Sequence, residues 1–367
     1  MTLRTPLCDL LGIEHPIVQS GMGGVAGPDL VAEVSKAGGL GIVAGLNLTA
    51  EQVRDAIHRV RAATDRPFGV NLFMPDDLLP PADPAAIPAA TIHAVHAVQN
   101  GFRARLGLPA TTDRPPAVPH LIPAAFEVIL EERPAVFSIG LGNPSRPAVQ
   151  RCHEHGIKVM AMVTTVDHAR TVERAGVDII VAQGGEAGGH RSTWVKPESP
   201  GPVSIGTLAL VPQVVDAVRV PVVAAGGIAD GRGLVAALAL GAAGALLGTR
   251  FVATRESIAP EFQKKALLEA EAEATTMTDA ITGLWARYIR NTYVSEYDAS
   301  GAPVFPALIQ SRAAQDIFGH AAKHAMPEWF PMATGQSVGL VHDLPGAGDV
   351  VGRIVREARA VLGRLPR

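Results

Sequence analysis

Short continuous apolar runs alternate with segments of helical apolar spacing over the first two thirds of the chain. The runs predicted to form strands are residues 16–21, 40–44, 68–73, 135–140, 158–163, 178–182, 220–225 and 245–247. They are rich in aliphatic residues, and small or turn-forming residues bound many of them. Such continuous runs are typical of strands that are buried on both faces of a parallel sheet.

Helical segments connect these strands. Thr49 and Gln52 have the spacing of a capping box, which marks a helix start, and Pro28 suits the first turn of another helix. The predicted helices are residues 28–37, 49–60, 147–155, 167–175 and 232–240. Eight strands that alternate with helices over roughly 250 residues predict an α/β fold, the (β/α)8 TIM barrel.

Two parts of the chain depart from this alternation. Residues 74–123 are rich in Pro and Ala and contain an amphipathic stretch at 88–106, so we predict an enlarged connection with its own helix. Residues 256–276 are charged and predicted to be helical. We therefore divide the chain into a barrel domain at 1–255, a mostly helical region at 256–335 that covers the barrel mouth, and a C-terminal segment at 336–367 that packs back on the barrel.

Composition narrows the class of protein. The 367 residues are 47% hydrophobic and 18% charged, with a formal net charge of −3. This balance gives no reason to expect nucleic acid or a membrane surface as partner. Cys8 and Cys152 lack the spacing of a disulfide framework or a metal site, and the first residues lack the apolar core of a signal peptide. A cytoplasmic enzyme is expected, and a homodimer is left open.

Candidate chemistry lies where the sixth predicted strand ends. Residues 181–191 read Val-Ala-Gln-Gly-Gly-Glu-Ala-Gly-Gly-His-Arg. The glycines leave backbone N–H groups uncovered, which suits the close approach of a flat ligand with a phosphate tail. His190 is the nearby side chain that can exchange a proton near neutral pH. The alternative is a glycine-rich turn whose histidine only shapes the loop.

Two further loops predict a phosphate site. Residues 226–231 and 248–250 follow the seventh and eighth strands, where barrels of this kind commonly bind phosphate. Both loops offer backbone N–H groups, the first at a helix N-terminus, and Thr249 adds a hydroxyl. The alternative is that the glycines only permit tight turns.

Two other motifs are weaker. Residues 21–26 fit the glycine pattern of a dinucleotide-binding loop, but the second strand ends without the acidic residue that would hold a ribose. The cluster Cys-His-Glu-His at 152–155 has mostly adjacent residues that point in different directions on a helix, so no metal is predicted. Neither a nucleophile elbow nor a Walker loop is present.

Taken in order, residues 16–23, 69–73, 182–191, 224–228 and 247–251 resemble the nitronate monooxygenase family, formerly called 2-nitropropane dioxygenases. The similarity extends from Leu3 to the segment 335–340 and so covers nearly the whole chain. These motifs are much more specific for the superfamily than for the reaction.

The resemblance implies an FMN-dependent barrel. Met22 and Gly23 would lie by the isoalloxazine ring, and Asn71 and Gln183 would hydrogen-bond the cofactor. The full set of implied cofactor-binding residues is Met22, Gly23, Asn71, Gln183, Gly188, Gly189, Gly226, Gly227, Leu246, Gly248 and Thr249. Of these, Gly188, Gly227, Gly248 and Thr249 would hold the phosphate. Leu246 stands where many relatives have Gln, which is a departure from the pattern.

The resemblance also implies a reaction. The family oxidises alkyl nitronates with O2 to a carbonyl compound and nitrite, and His190 matches its active-site histidine. His190 would act as a base or as a hydrogen-bond donor to an anionic substrate, either protonated or sharing a proton with it. The partners expected are therefore a small-molecule substrate and O2.

Other functions stay open at this point. Relatives with the same Ala-Gly-Gly-His loop are NAD(P)H-dependent flavin reductases of quinones or enoyl thioesters, although the chain shows no nucleotide motif for a nicotinamide. A non-catalytic flavin-binding barrel is the third possibility. Retention of His190 together with both phosphate loops disfavours it.

Overall fold

A computed structural model describes residues 3–74, 80–192, 194 and 204–364. The strands are β1 Ile17–Gln19, β2 Gly41–Ala44, β3 Phe68–Met74, β4 Val136–Gly142, β5 Lys158–Val163, β6 Ile179–Gln183, β7 Gly189–His190, β8 Val222–Ala225, β9 Gly244–Leu247, β10 Thr275–Thr278 and β11 Ala286–Ile289. The α-helices are α1 Pro6–Leu11, α2 Pro28–Lys36, α3 Ala50–Ala63, α4 Ala89–Leu106, α5 Ile122–Glu132, α6 Arg146–Glu154, α7 Val166–Ala175, α8 Thr207–Ala217, α9 Gly231–Ala239, α10 Thr249–Val252, α11 Glu261–Leu268, α12 Thr292–Ser300, α13 Ile309–Ala313, α14 Gln315–Lys323 and α15 Ala347–Arg364. Short 3-10 turns occur at Pro84–Ala86, Ala272–Ala274 and Gln336–Leu340.

The described residues contain the predicted barrel. Eight strands form one parallel sheet in the order β1-β9-β8-β6-β5-β4-β3-β2. Its two ends meet where Val18 pairs with Leu40, the residue before β2, and the N–H of Leu40 donates to the carbonyl of Ile17 at 2.9 Å. The interior is packed with side chains such as Val18, Ile42 and Leu246. The predicted fold class is confirmed.

Local sequence signals position the helices at the barrel rim. Thr49 accepts a hydrogen bond from the N–H of Gln52, whose side chain accepts from the N–H of Thr49 in return, so the predicted capping box is present. Asp230 caps α9 by accepting from the N–H groups of Arg232 and Gly233. These caps fix the direction in which each loop leaves its strand.

Two barrel helices were missed by the sequence prediction, α5 and α8, the second of which contains Pro212 in its interior. Helix α5 packs against β3 and α3 and buries Ile122, Phe126 and Ile129. It therefore takes the place of the regular helix after β3, and α4 is the inserted one. The proline at position 123 made this helix resemble the end of the Pro-rich connection, although proline is tolerated in a first helical turn.

The inserted helix and the C-terminal region share a second hydrophobic core, which we call the lid core. Residues from α4 pack there with residues that lie more than 170 positions later in the chain, as in the pair Phe102–Tyr293 with ring centroids 5.1 Å apart. The buried members are Ile87, Ile92, Val95, Phe102, Ala280, Ile281, Ala286, Tyr288, Tyr293, Val294, Tyr297, Phe305, Ile309, Ala313, Ala314, Ile317, Ala321 and Trp329.

The C-terminal addition is mostly helical, as expected, but it also contributes strands. Helix α11 ends at Leu268 and β10 begins at Thr275, so the prediction of a helix up to residue 276 was wrong in its last part. Strand β10 pairs antiparallel with β11, and β11 pairs with β7. Pairing with a distant strand decided the conformation, which local propensity cannot show.

The last helix returns to the barrel wall. Helix α15 packs against α9 and α2 and buries Val351 and Ile354. The contact with α9 is close at Gly231, where a Cβ would lie 2.5 Å from the Cβ of Glu357. The side chain of Glu357 also accepts a hydrogen bond from the N–H of Gly231 at 2.9 Å. Among the described residues, no helix is long and apolar enough to cross a membrane.

The lid core should depend on the ion pair between Arg103, which is buried, and Asp316, whose side chain is 43% exposed. Arg103 of α4 is 2% exposed, donates to both carboxylate oxygens of Asp316 on α14 at 2.7 and 3.0 Å, and donates to the carbonyl of Ala313 at 2.6 Å. Because Arg103→Ala removes the hydrogen bonds of a buried charged donor, we expect a loss of about 2 kcal/mol in the free energy of urea unfolding. Lys265→Ala, which removes an exposed pair, should change it by less than about 1 kcal/mol. Equal effects of both changes would contradict this role of Arg103.

Candidate functional site

The predicted site segments follow the carboxyl ends of β1, β3, β6, β8 and β9. Because the barrel strands are parallel, these ends lie at one rim of the barrel. The lid core supplies further residues at this rim through β11, which pairs with β7. The rim therefore joins residues from both cores.

Asn71 is fixed between two glycines. A Cβ at Gly21 would lie 2.5 Å from the Cβ of Asn71, and a Cβ at Gly140 would lie 3.1 Å from its Nδ2. Asn71 is 5% exposed and donates to the hydroxyl of Ser138 at 3.1 Å. Larger side chains at the two glycine positions would displace this amide.

The β1 loop approaches the β9 loop. The sulfur of Met22 would lie 3.4 Å from a Cβ at Gly248, and Gly23 is exposed with no atom within 4 Å of its Cβ position. Backbone hydrogen bonds from Val25 and Ala26 to the carbonyl of Met22 hold the turn. The structure thus leaves open space above Gly23, beside Met22.

Gln183 fixes the loop that carries His190. Its amide donates to the carbonyl of His190 at 2.8 Å and accepts from the N–H of Ser192 at 3.0 Å. Arg191, which is completely buried, donates to the carbonyl oxygens of Gln183 and Gly184 at 3.1 and 2.6 Å. Burial, with the nearby charge of Arg287, lowers the pKa of Arg191 to about 10, so this side chain stays charged at neutral pH.

His190 lies between a barrel residue and a lid residue. Its ring packs edge-on against Phe73, with centroids 5.2 Å apart, and its Nε2 lies 3.0 Å from the hydroxyl of Thr282. Nδ1 makes no hydrogen bond within the described part of the chain. The imidazole therefore has one nitrogen fixed and one available to a ligand.

Burial decides the charge of His190. Desolvation lowers the pKa of its imidazole to about 4, and no carboxylate offsets this effect. The ring is therefore neutral at pH 7. The expectation of a ring that is protonated before substrate binds does not fit this environment, whereas a neutral ring that shares a proton does.

Four predicted phosphate ligands present free backbone donors. In the described part of the chain, the N–H groups of Gly188, Gly227, Gly248 and Thr249 donate no hydrogen bond. Gly227 has a φ of 71° and, like Gly226 with a φ of 105°, adopts the left-handed conformation that favours glycine. Consecutive left-handed residues turn the β8 loop so that N–H groups are left without backbone partners.

A C-terminal segment joins these loops. The N–H of Gly335 donates to the hydroxyl of Thr249 at 2.9 Å, and the N–H of Gln336 donates to the carbonyl of Glu186 at 2.9 Å. A Cβ at Gly335 would lie 2.7 Å from the N atom of Gly188. Gly188 and Thr249 therefore lie on either side of the same residue.

The remaining predicted cofactor-binding residues are Gly189 and Leu246. Gly189 has a φ of 71° and pairs with Arg287, and its role toward a cofactor stays a prediction. Leu246 is 6% exposed and belongs to the apolar interior of the barrel. Its side chain can therefore contribute only apolar packing to the site.

Sequence reasoning missed the residues that the C-terminal region contributes. Thr282 contacts His190, the guanidinium of Arg287 donates to the carbonyl of Gly185 at 2.8 Å, and Thr334 lies beside Gly188. None belongs to a motif. These residues can be recognised only from their proximity to the predicted site residues in the folded chain.

The histidine and cysteine cluster on α6 has structural partners. His153 lies 2.8 Å from a carboxylate oxygen of Asp178, and Nδ1 of His155 lies 2.9 Å from the carbonyl of Arg151. Burial raises the pKa of Cys152 to about 12. Among the described residues, no group of three or more His, Cys, Asp or Glu side chains could hold a metal ion.

A cavity of about 450 Å³ lies next to the β1 loop, between α2 and α3. Gly24, Ala44, Leu48 and Ile258 are among its lining residues. Its described lining shares one loop with the predicted site but includes neither His190 nor the phosphate loops.

Comparison with known proteins identifies the family. The sequence model of the nitronate monooxygenase family matches residues 4–357. The chain belongs to this family. It is therefore an oxidoreductase, as expected from its motifs.

Relatives in two species cover the whole chain. A probable nitronate monooxygenase of Staphylococcus saprophyticus is 36% identical over 370 residues, which span 99% of this chain and 100% of the relative. A probable nitronate monooxygenase of Staphylococcus aureus is 35% identical over 363 residues, 98% of both chains.

Solved structures show the same architecture. The nitroalkane oxidase of Streptomyces ansochromogenes is similar with a TM-score of 0.87 and 35% identity, covering 98% of this chain and 99% of that one. FabK of Thermotoga maritima is similar with a TM-score of 0.76 and 31% identity, covering 99% and 98%. Membership of this family and the similarity to a nitroalkane oxidase support the oxidation of a nitroalkane or nitronate as the reaction.

The neutral state of His190 predicts an effect of pH on stability. An unfolded histidine has a pKa near 6.5, whereas the pKa of folded His190 is about 4. As pH falls from about 6.5 to 4, the unfolded chain binds a proton that the native state does not, so stability that is present above pH 6.5 is lost. His190→Asn should therefore lose less free energy of urea unfolding between about pH 7.5 and 5 than the unsubstituted protein.

His93→Asn is the control, because it removes an exposed histidine of α4. This variant should lose as much free energy of unfolding on acidification as the unsubstituted protein. An equal loss in all three proteins would show that His190 is not a buried neutral group.

Proposed function

We propose that this protein binds FMN at the barrel rim and oxidises alkyl nitronates with O2 to a carbonyl compound and nitrite. The observation that carries the proposal is the juxtaposition of a neutral, half-buried His190 with four free backbone N–H groups at the same rim. Similarity to a nitroalkane oxidase supports the substrate class.

The phosphate end of FMN fits the described residues. The free N–H groups of Gly188, Gly227, Gly248 and Thr249 are donors suited to a phosphate dianion. The hydroxyl of Thr249 accepts from Gly335, which leaves its own hydrogen to donate to a phosphate oxygen. No donor has to leave an existing partner.

The ring end of FMN would lie between Met22 and Asn71. The open space above Gly23 allows a flat ring to approach the backbone, and Asn71 offers its remaining amide hydrogen and oxygen. Gln183 already uses one donor and one acceptor to hold the His190 loop, so it would bind the cofactor through its second N–H. Its main effect is to position His190.

A neutral His190 favours a nitronate over a neutral nitroalkane. A base whose conjugate acid has a pKa of about 4 is poorly suited to remove a proton from carbon. With its proton on Nδ1, and with Nε2 accepting from the hydroxyl of Thr282, a neutral imidazole can donate this N–H to an oxygen of the nitronate, which is already deprotonated. The contact of Phe73 with the ring restricts His190 to one orientation during this interaction.

The cofactor and the protein would contribute different parts of the reaction. When bound, FMN would supply the electron-transfer chemistry, which none of the described side chains at this rim provides. The protein orients the nitronate through His190, holds the phosphate, and excludes water through the lid core. Thr282 and Gln183 keep the His190 ring and backbone in place.

Reduction by a pyridine nucleotide is the second candidate. The Ala-Gly-Gly-His loop at 187–190 favours it, because this loop resembles that of flavin reductases with this activity. The same rim would then serve an NAD(P)H-dependent flavin reductase of quinones or enoyl thioesters. The two functions differ in the electron donor, which a spectroscopic experiment can identify.

Gly227→Glu should weaken FMN retention. The new carboxylate would repel the phosphate, and its Cβ would lie 3.6 Å from the Cβ of Glu186. Gly107→Glu is a matched control, because Gly107 has a φ of 68°, no atom within 4 Å of its Cβ position and a place at the end of α4. We expect the FMN content of purified Gly227→Glu to fall roughly tenfold or more while Gly107→Glu keeps it. Full retention of yellow colour by Gly227→Glu would contradict the phosphate assignment.

The electron donor can be tested in the holoenzyme. We expect the visible flavin spectrum to stay unchanged when NADH or NADPH is added without O2, and nitrite to be released when a nitronate is added in air. His190→Ala should lower nitrite release roughly 10- to 100-fold and keep FMN bound, because only the substrate contact is lost. His93→Ala should leave both unchanged. Rapid bleaching by NADH would instead favour the reductase.

A further inference from the structure

Thr334 carries a hydroxyl that the polypeptide does not satisfy. The residue is completely buried, and its Oγ1 has no hydrogen-bond partner in the described part of the chain. Burying a hydroxyl without a hydrogen-bond partner costs free energy of folding. Native proteins therefore rarely retain such a group unless its partner comes from outside the polypeptide. This hydroxyl therefore indicates a ligand.

The position of Thr334 identifies the ligand site. A Cβ at Gly188 would lie 2.6 Å from the carbonyl carbon of Thr334 and 3.0 Å from its Cα. The next residue, Gly335, donates to the hydroxyl of Thr249. The segment Thr334–Gly335 thus contacts two loops, each of which carries N–H groups that donate no hydrogen bond within the described part of the chain.

The backbone of this segment is already fixed. The N–H of Thr334 donates to the carbonyl of Arg287 at 3.2 Å, and the neighbouring Ala333 pairs with Tyr288. The segment is therefore held by the lid core on one side and by Thr249 on the other. A hydroxyl on so constrained a backbone is preorganised to bind a ligand.

We propose that the Thr334 hydroxyl donates a hydrogen bond to the phosphate of FMN, so that the C-terminal region completes the phosphate site. This inference rests on the proposed binding of FMN. It adds Thr334, a residue outside the barrel loops, to the phosphate-binding residues that the family motifs imply. Because Thr334 is attached to β11 through Arg287, phosphate binding then links the lid core to the barrel rim.

Thr334→Val tests the contact, because valine keeps the shape of threonine and removes the hydroxyl. Apoprotein is titrated with FMN and, separately, with riboflavin, which lacks the phosphate. A lost hydrogen bond to a charged group should raise the Kd for FMN about tenfold or more. The Kd for riboflavin should not change. Thr334→Ser should keep the affinity for FMN.

Stability of the apoprotein gives a second readout. Since the hydroxyl has no hydrogen-bond partner among the described residues, apo Thr334→Val should unfold at the same or a higher urea concentration than the unsubstituted apoprotein. Thr278→Val is the matched control, because the hydroxyl of buried Thr278 donates to Asp298 at 2.7 Å and so has a partner within the chain. This control should lose stability and keep its affinity for FMN.

Three results would overturn the inference. An unchanged Kd for FMN in Thr334→Val would show that the hydroxyl does not contact the phosphate. An equal loss of affinity for FMN and riboflavin, with a less stable apoprotein, would make Thr334 a purely structural residue. Failure of the unsubstituted apoprotein to bind either flavin would contradict the proposed function itself, which distinguishes that failure from the other two.

Discussion

The candidate site depends on how the glycine-rich loop after β6 is held in one conformation. A segment with four glycines between Gln183 and His190 loses more entropy on ordering than other sequences, so it needs several restraints. The side chains of Gln183 and Arg191 supply restraints from within the loop, and strand β11 supplies a ladder from the C-terminal region. The position of His190 therefore depends on residues that are almost 100 positions away in the chain.

These restraints also set the electrostatics. Packing of the loop against Phe73 and Thr282 partly removes His190 from water, and this desolvation keeps its ring neutral. The same packing leaves the N–H of Gly188 and the hydroxyl of Thr334 without partners among the described residues. Such groups cost stability in the protein alone and become favourable only when an anion meets them. The free protein is therefore destabilised by the same groups that we propose to bind FMN.

The lid core explains how this cost is tolerated. The connection after β3 and the C-terminal region bury aromatic residues against each other, with the ion pair Arg103–Asp316 at one edge. Helix α15 then returns the chain to α2 and α9 on the barrel wall. The rim is thus enclosed between two packed cores, and the loops in it need not be stable by themselves.

The sequence by itself determined the barrel, because each strand is a continuous apolar run and several helices carry local caps such as Thr49 and Asp230. It also determined the family, and it predicted the rim residues from short contiguous motifs. It did not predict helices α5 and α8, each of which contains a proline. It also did not predict strands β10 and β11, or the contributions of Thr282, Arg287 and Thr334. Their conformations and neighbours come from contacts between distant segments, which leave no periodic pattern. The charge of His190 was likewise decided by the tertiary structure, because desolvation depends on everything that packs around the ring.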